Sequence, residues 1–168
     1  AAGAPLSKYE LKNYMDWLVA QVGKTEGVTV HLNTPVDNAL LKKGNYDAVV
    51  FANGSREGVP PIPGLDTVRH IDAIHLLTHP EELADTDKKI IVIGGGAVGL
   101  ETSFWLATEK LRKVTCLEML EHFEEGACTA NRGHLIHYFE ADGGELVNCA
   151  RVLRIEDGHV VVAHNRSK

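Results

Sequence analysis

The sequence predicts an α/β fold: a parallel sheet layered with helices, preceded by part of a second α/β unit and closed by a β-hairpin. Three observations predict it. The stretch Lys89–Glu101, KIIVIGGGAVGLE, runs an apolar strand pattern straight into a glycine cluster and then a helix pattern. A second strand pattern follows that helix, giving a βαβ unit of roughly 30 residues, the size of a right-handed crossover. Near the end, RVLRIEDGHVVVAH sets two β-type runs on either side of Asp157-Gly158, a pair that favours a tight hairpin turn.

The elements follow in chain order. Ser7 and Glu10 have capping-box spacing, so each could satisfy an orphan N–H at a helix start. Leu11, Tyr14, Met15, Leu18 and Val22 then recur at helical spacing as one apolar stripe. Gly27 breaks that pattern. Val28, Val30 and Leu32 alternate as in a half-buried strand. After a polar connection, YDAVVFANG (Tyr46–Gly54) is a continuous apolar run, the signature of a strand covered on both faces. SREGVPPIPG (Ser55–Gly64), with three prolines and two glycines, reads as a linker. Asp72–His79 suits a short helix, Ile90–Ile93 a buried strand, and Ala97–Lys110 a helix with Leu100, Phe104 and Leu106 inward. Val114–Glu118 is the second strand, and Thr129–Ala141 a helix capped near Cys128 and Thr129. DGGELVN turns into a third strand before the hairpin.

Bulk properties narrow the function classes. A chain of 168 residues holds one ordinary domain or parts of two. With 44% hydrophobic and 24% charged residues it reads as globular. A net charge of −6 speaks against a sequence-independent nucleic-acid binder, which needs excess Lys and Arg. No apolar run approaches the ~20 residues that span a bilayer, and the opening residues do not read as a signal peptide. Cys116, Cys128 and Cys149 are scattered, without a CxxC pair, which fits a reducing cytoplasm. A cytoplasmic protein with no membrane or nucleic-acid partner is expected.

Gly94, Gly96 and Gly99 complete G-x-G-x-x-G in its proper context, after a strand and opening a helix. Gly94 permits the tight turn, Gly96 lets a diphosphate approach bare backbone, and Gly99 lets helix pack closely on strand. The helix starting at Ala97 and Val98 aims unpaired N–H groups and its positive end at that phosphate. Gly95 adds room. Glu118, nineteen positions after Gly99, stands where a carboxylate accepts hydrogen bonds from an adenosine ribose. A 2′-phosphate there would be repelled, and no Arg follows within Met119–His122 to receive one, so NAD(H) is expected over NADP(H). The competing reading is a glycine-rich turn that holds no nucleotide.

The same fingerprint serves FAD, and the preceding segment decides between them. DAVVFANGSREGVPPIPG (Asp47–Gly64) resembles the strand–Ala-Thr-Gly–proline linker of flavoproteins with two dinucleotide-binding domains, with Asn53 in place of Thr. That segment ends part of the FAD domain and leads into the nicotinamide domain, so Ala52, Asn53 and Gly54 join the cofactor-site candidates. With the opening LSKYELKNYMDWLVAQV and the central VIGGGAVGLETSFWLA, the chain is most similar to the C-terminal half of the NADH:flavin oxidoreductases of the enoate reductase and 2,4-dienoyl-CoA reductase group.

The resemblance implies a Rossmann-like NAD-binding domain at 87–168, a linker and short helix at 57–86, and a partial FAD-type segment at 1–56. It also implies FAD in the parent enzyme, with FMN and a [4Fe–4S] cluster on a barrel domain that this sequence does not show. Glu101, in the first helical turn, falls where similar families carry an acid near the nicotinamide; it equally suits the helix dipole. The expectation is therefore a fragment of a longer oxidoreductase. It would bind dinucleotide, need the parent's remaining domains to be active, and be prone to self-association through unpaired strand edges. Rival readings are a fragment of another two-domain flavoprotein, such as a glutamate synthase small subunit relative, and a non-catalytic scaffold holding ADP or AMP. A thioredoxin reductase relative is disfavoured by the missing CxxC.

Other features read as structural. His134 and His137 lie i, i+3 on one helix, and His122 neighbours several acids, but zinc needs three or four convergent ligands. The acidic run EMLEHFEEG (Glu118–Gly126) reads as a solvated loop that could border the adenosine. Trp17 and Trp105 are expected to pack. No nucleophile elbow is present.

Overall fold

The computed structural model describes residues 3, 5–54, 58–126 and 128–164, with only the backbone of Ser7 and Thr129. Ser55 at the start of the linker therefore lies outside the described residues, as do its neighbours Arg56 and Glu57.

The core is the βαβ unit that the glycines announce. Strand β1 (Lys89–Ile93) leads through the glycine turn into helix α4 (Ala97–Thr108), which returns to β2 (Lys113–Leu117). Helix α5 (Thr129–Ala141) carries the chain to β3 (Glu145–Val147). The three strands are parallel in the order β1–β2–β3, with Ile91 opposite Thr115 and Cys116 opposite Leu146. Helix α4 stops two residues short of the expected Lys110. Its face of Leu100, Trp105, Leu106 and Ala107 packs with Val114, Cys116, Phe123 and Phe139 into one core. Phe104 is half-buried at the edge of that cluster. Leu76 and Leu77, from α3 (Ala73–Thr78), extend the core. Asp72 caps α3 by accepting from the His75 N–H.

Strands β4 (Ala150–Glu156) and β5 (His159–His164) form the expected hairpin, with a register shift between Val152 and Arg154. Asp157 (φ 49°) and Gly158 (φ 72°) both take left-handed backbone, as a two-residue turn matched to strand twist requires. The hairpin is tied to the end of the linker, where the Ile155 N–H donates to the Pro63 carbonyl at 2.8 Å.

The front of the chain departs from expectation. Helix α1 (Tyr9–Lys24) begins after a 3-10 turn at Leu6–Lys8, and its N-cap is Lys8, without a side-chain bond. The Ser7/Glu10 capping box therefore does not start the helix; the Ser7 side chain lies outside the described residues. The stripe of Leu11, Tyr14, Met15, Leu18 and Val22 is exposed. Neither Val28–Leu32 nor Tyr46–Gly54 is a strand, and Val50 and Phe51 stand 88% and 75% exposed. Apolar periodicity gives extended backbone only a tendency, and a strand needs a neighbour for its N–H and C=O groups. Among the described residues none pairs with either segment. A helix that the pattern did not suggest, α2 (Asn38–Gly44), is capped by Asp37, which accepts from the Leu40 N–H.

Candidate functional site

The candidate site is the turn between β1 and α4. Gly94 leaves the strand at φ +104°, a backbone that side-chain-bearing residues rarely adopt, and its N–H donates to the Leu117 carbonyl at 2.8 Å. Gly99 sits on that turn so closely that a Cβ would lie 1.8 Å from the Gly94 carbonyl oxygen. At Gly96 the reverse holds: an added Cβ would meet nothing within 4 Å. Gly99 is thus glycine for helix–strand packing. Gly96 is glycine with open space before it, which is where the pattern puts the ligand.

Helix α4 makes its first backbone bond from the Leu100 N–H to the Gly96 carbonyl. The N–H groups of Ala97, Val98 and Gly99 therefore have no carbonyl within the helix, and the N-cap residue has no side chain to serve them. Ala97 and Val98 are exposed. Directed donors beside an unfilled surface make a fitting cradle for a diphosphate.

Glu118 follows directly after β2 and is 92% buried, its exposure being 8%. Its Oε2 accepts from the Gly95 N–H at 2.7 Å, and its Oε1 accepts from the Leu120 N–H at 2.8 Å. The carboxylate is thus fastened to the glycine turn. Each oxygen retains lone-pair capacity for a further donor, such as a ribose hydroxyl.

Gly95 takes a different part from the spare room assigned to it. It is buried, and a Cβ there would meet the Phe123 ring at 2.3 Å. Its N–H is held by Glu118 and its carbonyl accepts the Glu124 N–H at 2.7 Å. Close packing, not ligand access, requires glycine here.

The acidic run is accordingly only partly a solvated loop. Glu121, His122 and Glu125 are exposed, but Phe123 and Glu124 are buried against the turn. Sequence reasoning missed both; Phe123, a lone aromatic among acids, was the available signal. Behind the turn, burial pushes the Cys116 thiol up to about 11; the Glu118 charge adds to this and the Ser103 hydroxyl opposes it.

The remaining candidates scatter. Glu101 is half-buried and forms an ion pair with Lys8. The Leu6 N–H donates to Glu109 Oε1 at 2.8 Å, a second tie between the chain's front and α4. Ala52, Asn53 and Gly54 lie exposed in the unpaired front segment, with no hydrogen bond to the glycine turn among the described residues. His134 and His137 are exposed, and no group of three or more metal-ligating side chains occurs among the described residues. Trp105 packs in the core, whereas Trp17 is 54% exposed and stacks on Tyr14. No helix among the described residues is long and apolar enough to cross a membrane.

The model of the family described as pyridine nucleotide-disulphide oxidoreductase matches residues 7–168. An NADH oxidase of Thermoanaerobacter brockii is 36% identical over 121 residues, covering 71% of this chain and 18% of that protein. A bilirubin reductase of Mediterraneibacter gnavus is 30% identical over 167 residues, covering 99% of this chain and 25% of that protein. A cinnamate reductase of Clostridium sporogenes is 30% identical over 137 residues, covering 80% and 20%. Among solved structures, a 2-naphthoyl-CoA reductase complex superposes with a TM-score of 0.79 at 21% identity, over 98% of this chain and 24% of that one. The chain thus spans a quarter or less of the length of these proteins.

Proposed function

Since the chain belongs to the pyridine nucleotide-disulphide oxidoreductase family, we propose that its glycine turn binds NADH and presents it for hydride transfer to FAD within a longer flavin oxidoreductase of the enoate or 2,4-dienoyl-CoA reductase type. The family unites oxidoreductases that use NAD(P)H and FAD. The observation that carries the reading is the contrast at Gly96, where bare backbone faces open space beside the amides of Ala97 and Val98, which have no partner among the described residues.

Residues 87–168 form the nicotinamide-binding domain in this reading. Residues 1–56 contribute to the FAD domain across the linker at 57–86, and Ala52–Gly54 approach the flavin only in the assembled enzyme. NADH held at this turn would supply a hydride for FAD in the longer enzyme. The work of this chain is binding and orientation. The amides of Ala97 and Val98 hold the diphosphate, Glu118 receives the adenosine ribose and disfavours a 2′-phosphate, and Glu101 lies one helical turn further along. Two relatives that are reductases by name support the enoate-type assignment. FMN and an iron–sulfur cluster belong to the rest of that enzyme.

Titration of the purified protein with NADH, NADPH and ADP tests the reading. NADH is expected to bind more tightly than either. NADH binding no tighter than ADP would favour a nucleotide scaffold without a redox role, and preference for NADPH would overturn the role of Glu118.

A further inference from the structure

Two glutamates are tied to Gly95, and the structure treats their carboxyl groups oppositely. Glu118 has a backbone donor on each oxygen. Glu124 is buried to the same degree, with 7% exposure, yet its Oε2 is enclosed and has no hydrogen-bond partner among the described residues. A buried carboxyl oxygen without a donor is costly. Its backbone adds to that cost: Glu124 takes φ +50°, the left-handed region that glycine or asparagine fills more readily. The residue is nevertheless pinned there, its N–H on the Gly95 carbonyl, one residue from the open face of Gly96.

We infer that Glu124 restrains nucleotide binding: its backbone is fastened to the glycine turn that carries the phosphate cradle and one oxygen of its acid has no donor, so that each phosphate of an incoming nucleotide is opposed by that acid's charge. This inference rests on the dinucleotide reading above. The amides of Ala97 and Val98 draw a diphosphate in, and Glu124 sets how tightly it stays. Repulsion between like charges near a protein surface, where water screens them only in part, is large enough to change affinity severalfold. It depends on the ligand's phosphate charge and not on its base or sugar.

The test is calorimetric titration of the wild-type protein and the variants Glu124→Gln and Glu124→Leu with adenosine, AMP, ADP and NADH. Gln keeps the shape and removes the charge; Leu also removes the polar atoms. Both variants are expected to bind ADP and NADH about tenfold more tightly, AMP by less, and adenosine unchanged. Both should also melt at a higher temperature than wild type. Unchanged or weaker ADP binding by a variant that melts at or above the wild-type temperature would overturn the inference, as would an equal gain for adenosine. A variant that melts lower would itself contradict it, since the carboxyl would then be stabilising the fold. If the wild type binds NADH but the variants follow none of this pattern, only the inference fails; if neither wild type nor variants bind any nucleotide, the dinucleotide reading fails with it.

Discussion

The N–H of Gly95 donates to Glu118 Oε2 across 2.7 Å of buried space, which joins the middle of the glycine turn to the residue following β2. This bond makes the two halves of the fingerprint one object. The carboxylate that would receive a ribose also fixes the turn that would receive the phosphates.

Replacing Glu118 with Gln should therefore act on both. An amide presents an NH₂ group to one of the two backbone donors, so one N–H loses its acceptor in a buried place. A loss of about 1–3 kcal/mol in unfolding free energy is expected, the cost of one unsatisfied buried group. Denaturant titration measures it. The ratio of NADPH to NADH affinity should rise in the same variant.

Gly96 and Gly99 should fail in different ways. Gly96→Val adds bulk where nothing lies within 4 Å, so the melting temperature should hold while NADH affinity falls at least tenfold. Gly99→Ala drives a Cβ into the Gly94 carbonyl, so the fold should lose about 1–3 kcal/mol from overpacking. Thermal melts run beside NADH titrations separate the two outcomes.

The cysteines should react with a thiol reagent according to their location. Cys128 is exposed and Cys116 fully buried. At pH 8 a thiol reagent should modify Cys128 first and reach Cys116 only on unfolding. Linkage gives the pH dependence. The folded Cys116 thiol holds its proton more tightly than the ordinary thiol at 9.0, so its contribution to stability is complete below that pH and is lost as pH rises toward about 11. Unfolding free energy should therefore fall across that window, and less so in Cys116→Ala.

The Lys8–Glu101 pair should matter little to stability. Its side chains are 27% and 35% exposed, and water screens such pairs to at most about 1 kcal/mol. Lys8→Met should shift the melting temperature by only a few degrees, whereas loss of a core residue such as Trp105 to Ala should cost about 3–5 kcal/mol.

The βαβ core was legible in the sequence because its signals are local. KIIVI, the glycines and the α4 pattern each specify backbone geometry within a few residues, and β1, α4 and β2 follow within two residues of expectation. Asp157-Gly158 fixed the hairpin in the same way. The front was not legible for the opposite reason. Val28–Leu32 and Tyr46–Gly54 have strand composition, but a strand is a relation between segments, and none among the described residues supplies the partner. At the candidate site, the open space at Gly96 and the close packing at Gly99 could be read from the motif. Gly95 and Glu124 could not, because their packing depends on Phe123 folding back from a loop whose composition signals only solvation.

The account rests on the open amides at the start of α4. The most direct measurement is amide chemical-shift mapping by NMR during titration with ADP. The account predicts the largest changes at Gly96, Ala97, Val98 and Gly99, with the Glu118–Leu120 segment next. Saturable ADP binding that leaves those amides unmoved and shifts another part of the chain would contradict it.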